Sequence, residues 1–176
     1  MKKDRQKSAG IIFYRLVEKS VEIILGHHGG PRWEGVEEGG WSICKGLHEE
    51  TDASLKETAF REFEEETGVS PDRENFNEIY LGSTVSIGGK IVHVWGIEGD
   101  CNPETDFSSN TCHIEWPKGS GEIIEIQEVS HIGWHSPEEA SRLMLPYQRI
   151  FLFRLLTWLK LPCYFEKEDE EVDILV

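Results

Sequence analysis

The sequence is short of positive charge. Against 33 aspartates and glutamates stand 18 lysines and arginines, a formal charge of −15 over 176 residues. That excess disfavours non-specific binding to nucleic acid or to an anionic membrane surface, so neither is expected as a partner. It also makes an anionic substrate hard to hold unless a cation stands between. Long apolar runs are missing as well. Residues 150–161 are broken by Arg154 and Lys160, which argues against a membrane span. Residues 11–14 are too few for the core of a signal peptide. Cysteine is sparse: Cys44, Cys101, Cys112 and Cys163 make no CxxC pair, and a chain of this length does not need disulfides. A zinc set of Cys101, Cys112 and His113 lacks a standard ligand spacing. Reduced thiols and a cytoplasmic location are expected.

What is present suits one domain with a sizeable core, over 1–165, followed by an acidic, frayed tail at 166–176. Strand patterns cover 8–14 and 21–25, joined by a turn at 17–20. A glycine-rich connection follows, then a short strand-like run at 41–44. Asp52 or Ser54 can cap a helix running to Thr67, where Gly68 stops it. Further strands are expected at 77–86, 91–97, 123–126 and 131–134, with a long loop over 99–121. Helices are expected at 137–143 and 148–159. Strands interleaved with helices and hairpins predict an α/β domain with a mixed sheet.

The chemistry concentrates in the first long helix, where Glu62, Glu64, Glu65 and Glu66 fall within five positions. At ~100° per residue, Leu55, Ala59 and Phe63 form an apolar stripe, and Glu57, Arg61 and Glu64 lie on the other side. Glu57–Arg61 and Arg61–Glu65 are spaced as i,i+4 ion pairs. Glu62 and Glu66 instead project along the edge of the stripe, toward the body of the protein, with Glu65 one step around. Glu64 points into solvent. Like-charge pairs at i,i+3 and i,i+4 are unfavourable, more so near a core of low dielectric and at the negative end of a helix. Carboxylates gathered against such costs suit a hard divalent cation, Mg²⁺ or Mn²⁺. A solvated acidic helix face is the plainer alternative.

The stretch REFEEETGV, Arg61 to Val69, resembles the core of the Nudix hydrolase box, with Gly46 as its opening glycine. One feature departs from the pattern. The acid between glycine and arginine is Asp52 rather than glutamate, and eight residues separate it from Arg61 where the family has seven. Similarity extends through GGPRW, WSICKG, GGKIVHVWGIEGD and EWPKGSG to a bacterial subgroup labelled as NTP pyrophosphohydrolases. The resemblance implies a Nudix-type α/β/α sandwich with a mixed sheet. It implies metal-dependent hydrolysis of a nucleoside diphosphate linked to another group, an NTP or a dinucleoside polyphosphate being favoured. An ADP-ribose or nucleotide-sugar substrate is the nearest alternative, and a nucleotide-binding domain without turnover is a third.

By matching position, Glu65 and Glu66 resemble metal ligands, Glu62 a ligand or the base for the attacking water, and the Lys45 carbonyl a backbone ligand. Arg61 resembles the residue that orients the carboxylates. Asp52 matches a position that holds the loop. A further carboxylate is expected from outside the box: Glu128, with Glu125 and Glu115 as alternatives. Arg32, Lys45, Lys90 and Lys118 are candidate phosphate contacts. Trp33 or Trp41 could stack a base, and His27 and His28 could face the cleft.

Overall fold

The computed structural model describes residues 5–74 and 77–163, so the acidic tail at 166–176 lies outside the described residues. Its centre is strand β1, Lys7–Val17, seven consecutive residues of which are buried. A strand covered on both faces reads as a continuous apolar run rather than an alternating one. Ala9, Ile11 and Phe13 face one apolar cluster, and Ile12 and Tyr14 the other.

β1 runs parallel to β6 (Ile91–Glu98) along one edge, and β5 (Glu78–Val85) pairs antiparallel outside β6. Along its other edge β1 has two partners in succession. Tyr14 to Val17 pair with β2 (Ser20–His28), whereas Ser8 to Ile11 pair with β4 (Cys44–Leu47). The sheet therefore forks between β1 and β2. The chain that bridges the fork pairs first with β2, as β3 (Trp41–Ser42), and then with β1 as β4. The strand-like run expected at 41–44 is thus two strands. Ile43 sits at the switch, where its N–H donates to the Oε1 of fully buried Gln148, whose Nε2 donates to Ser42 Oγ. Strand β9 (Val129–His135) covers the outer side of β2.

Helix α1, Leu55–Thr67, lies on the face of Ile11 and Phe13. Its N-cap is Ser54, which accepts from Glu57 N–H, and Gly68 closes it at φ 75°. Asp52, the alternative cap, has another task. The opposite face is covered by α3 (Pro137–Leu143) and α4 (Arg149–Leu159). The result is the α/β/α sandwich around a mixed sheet.

The expected loop over 99–121 is a correction. It contains a short helix α2 (Pro103–Asp106) and strand β7 (Thr111–Glu115), which forms a separate hairpin with β8 (Ile123–Gln127). Turn residues flank β7, and its alternation spans only five positions. Its pairing depends on the partner strand and on the Ile114 and Ile126 side chains, which lie against Gly30. Among the described residues no helix is long and apolar enough to cross a membrane. The four cysteines are free.

Candidate active site

Helix α1 carries Glu62 to the fork. Glu62 is 8% exposed, and its carboxylate occupies the space a Cβ would fill on Gly46 in β4. One turn on, Glu66 Oε2 accepts the Lys45 N–H at 2.9 Å. The edge of β4 thus holds both carboxylates, one against a residue without a side chain and the other on a backbone donor.

Arg61 organises the outer side. Its Nε and Nη2 form a two-pronged pair with Asp52, each at 2.9 Å, and Nη2 also donates to the Leu47 carbonyl at 3.0 Å. Nη1 reaches Glu62 at 2.9 Å and Glu65 at 3.1 Å. The paired geometry drives the Asp52 carboxyl well below its usual range. Asp52 also accepts from Thr58 Oγ1 and from Glu49 N–H, so it ties the box loop to the helix despite its shorter side chain and the extra residue.

Two expectations about this helix are corrected. Arg61 does not pair with Glu57. Glu57 and Glu64 both bind Arg73, at 2.8 and 3.2 Å, so Glu64 is a paired surface residue rather than a solvent-directed one. Helical spacing alone cannot foresee either, because Asp52 and Arg73 arrive from outside the helix.

The fourth carboxylate, Glu128, stands at the bend between β8 and β9. It lies near enough to Glu62 and Glu66 to raise the pKa of each. Glu125 is engaged instead by Thr111, and Glu115 by Gly121 N–H. Asn110 sets the place of Glu128. Its N–H caps the Glu65 carbonyl at the helix end, its carbonyl accepts Glu128 N–H, and its Nδ2 donates to Glu128 Oε2 at 3.2 Å. Sequence reasoning missed Asn110, since nothing in a turn-rich stretch marks one asparagine as the link between a helix end and a distant bend.

The electrostatics follow from this crowding. Burial pushes Glu66 up to about 8; Lys45 opposes the shift, and Glu62 and Glu128 add to it. Burial also raises Glu62, against the pull of Arg61. The Cys44 thiol, buried beside Glu66, is held well above its ordinary value.

A family model described as the NUDIX domain matches residues 4–159. The chain belongs to the Nudix family. It is a Nudix-type pyrophosphohydrolase by that membership. Solved structures share its fold at low identity. A Caenorhabditis elegans Ap4A hydrolase in a binary complex superposes with a TM-score of 0.62 at 19% identity, over 88% of this chain and 98% of that one. The NUDIX domain of Shewanella oneidensis NrtR, complexed with ADP ribose, gives 0.57 at 15%, over 89% and 90%. A mutT/nudix protein from Listeria innocua gives 0.57 at 18%, over 90% and 96%. Comparison with curated proteins finds no match.

The remaining candidates scatter around this Nudix site. Lys45 is close enough to act on both Glu66 and His28. Burial, then Lys45 and His27, lower His28 to about 4. Arg32 lies over the Trp33 ring at 5.2 Å, and Trp33 packs on His28 with centroids 4.8 Å apart. Trp41 is 6% exposed, edge-on to His27, His131 and His135. It is therefore a wall of the core rather than an open stacking face. Lys90 lies in the β5–β6 turn, and its strand is separated from β4 by β1. The structure does not bring it together with the carboxylates.

Proposed function

We propose that this Nudix hydrolase cleaves a pyrophosphate bond in a nucleoside diphosphate linked to another group, with Mg²⁺ or Mn²⁺ at Glu62, Glu65, Glu66 and Glu128. The observation that carries the reading is a convergence of carboxylates: Glu62 lies in the space of a Gly46 Cβ, half-buried Glu66 sits one turn on against the Lys45 N–H, and Glu128 is near enough to raise the pKa of both. The donors are all oxygens, which suits a hard cation. Among the described residues, no three acidic, histidine or cysteine side chains converge as a finished ligand set. Arg61 holds Glu62 and Glu65, and a backbone N–H holds Glu66. The site thus fits the metal in its chemistry while its carboxylates remain engaged by cationic and N–H donors. Bound there, a divalent cation would neutralise the cluster, offset the burial cost and let a polyanion approach.

The chain's own groups supply the rest. Glu62, held against Gly46 and by Arg61, would serve as a metal ligand or accept a proton from the attacking water. Glu65, Glu66 and the Lys45 carbonyl are the further oxygen donors; Arg61, itself clamped by Asp52, orients Glu65, and the Lys45 N–H orients Glu66. The Lys45 ammonium and Arg32 would contact phosphate oxygens in a protein whose net charge otherwise repels them. NTPs and dinucleoside polyphosphates are the favoured substrates. The setting we propose is cytoplasmic, in keeping with a sequence whose four cysteines make no CxxC pair.

ADP-ribose is the second reading, because a domain of the same fold was solved with that ligand. The test is a panel of NTPs, dinucleoside polyphosphates and ADP-ribose with Mg²⁺ or Mn²⁺, with products separated by chromatography. Turnover that ceases in excess EDTA supports the proposal. Undiminished rates in EDTA would remove the metal from it, and binding without turnover would favour a ligand-sensing domain.

A further inference from the structure

Beside the acidic cluster, the connection from β2 to β3 arches over an open hollow of about 490 Å³. Its size falls within the range of small-ligand sites. The floor is aromatic. His131 is exposed and stacks on buried His27, with ring centroids 4.9 Å apart and planes 17° from parallel. Trp41 meets both rings edge-on, at 5.1 and 4.8 Å.

The stack is held in place by hydrogen bonds. His27 Nε2 donates to the Val36 carbonyl at 2.7 Å, and Ser130 Oγ joins His27 Nδ1 at 3.1 Å to His131 Nδ1 at 2.9 Å. Pro31 lines the arch, and Glu34 is the only carboxylate among the lining side chains. The hollow adjoins the carboxylate cluster along the chain. Its rim residue His28 is within the field of Lys45, and the next N–H, from Gly29, binds the Glu128 carbonyl at 2.9 Å.

We propose that this hollow is the nucleobase subsite, with the base stacked on His131 and its hydrogen-bonding edge turned to Glu34. The assignment rests on the reading of the site as one for nucleotides. A flat, pre-ordered imidazole suits any base, since every base has a π-face. A carboxylate only accepts hydrogen bonds, so Glu34 favours bases whose edge carries an amino group over uracil and thymine. Partial burial of the ring and His27 lower the His131 pKa against the pull of Glu37, which favours the neutral imidazole for stacking.

The test reads binding rather than turnover, so it does not depend on the reaction proposed above. Affinities of AMP, UMP and ribose 5-phosphate are measured calorimetrically for the full chain with Mg²⁺ present. AMP is expected to bind about tenfold more tightly than ribose 5-phosphate. His131→Ala should abolish that advantage, His131→Phe should retain it, and Glu34→Gln should erase the preference for AMP over UMP. Equal affinity of the wild type for AMP and ribose 5-phosphate overturns the subsite. So does an unchanged advantage in His131→Ala, or equal loss in the Ala and Phe variants. An intact base preference in Glu34→Gln overturns the role of Glu34. Failure of the proposed reaction would appear elsewhere, as absence of metal-dependent cleavage across the substrate panel.

Discussion

The carboxylate of Glu62 lies in the space that a Cβ on residue 46 would occupy. The contact explains why a glycine stands in mid-strand, where glycine costs backbone entropy and contributes no packing. It also ties the β4 edge to the helix more closely than any side-chain contact could. Gly46→Ala should displace the carboxylate. We expect a loss of about 100-fold or more in kcat/KM, with about 1–3 kcal/mol of stability lost to overpacking. Steady-state kinetics and urea melts on the same preparation check both, and an Ala variant with normal kinetics would show that Glu62 does not act from this position.

The acidic helix offers an internal control. Glu→Gln at Glu62, Glu65 or Glu66 should each lower kcat/KM by about 100-fold, or about 2.7 kcal/mol of transition-state stabilisation. Glu64→Gln removes one bond to Arg73 on the surface. It should leave kcat unchanged and cost less than about 1 kcal/mol of stability. Kinetics of the four variants decide the matter, and equal damage at Glu64 and Glu65 would mean that this helix is not the catalytic one.

Glu66 makes stability depend on pH in a direction opposite to that of most carboxylates. Its folded pKa, about 8, lies above the ordinary 4.5, so the folded state holds the proton more tightly. The resulting stability is present below the ordinary value and lost as pH rises through about 8. In EDTA, wild type should therefore lose stability relative to Glu66→Gln between about pH 4.5 and 8. Adding Mg²⁺ at pH 8 should recover it, because a ligand of the folded state stabilises that state. Urea melts across this range measure the gap; a gap independent of pH, or one unaffected by Mg²⁺, contradicts the assignment.

Asp52 and Arg61 supply the opposite sign. The Asp52 carboxyl is held low by the guanidinium, so its contribution is present above its ordinary value of 3.8 and lost as pH falls through the folded one. Asp52→Asn should cost about 2–3 kcal/mol near neutral pH by leaving the arginine half-paired. It should also depress kcat/KM, since Arg61 then holds Glu62 and Glu65 less firmly. Unaltered melting at pH 7 would show that the shorter acid and the extra residue do not clamp the loop.

Much of the fold was legible in the sequence. Apolar periodicity marked the central strands and α1, and capping residues marked its ends, because those signals are local. The fork was not legible. Whether 41–44 is one strand or two depends on which partner each half meets, and buried Gln148 holds the switch from a position more than a hundred residues away. Strand β7 was hidden for the same reason: its five residues acquire a strand only from β8.

The sequence by itself determined the family, the acidic helix, and the fact that Glu62 and Glu66 face inward while Glu65 flanks them. A helix repeats every few residues, so the face on which each carboxylate lies follows from spacing alone. Tertiary structure decided their partners. It turned Arg61 from Glu57 to Asp52, gave Glu57 and Glu64 to Arg73, and brought Glu128 to the cluster through Asn110. It also buried Trp41 and left His131 exposed beside it. These choices depend on charges and surfaces contributed by distant segments, and no local periodicity encodes a distance across the fold.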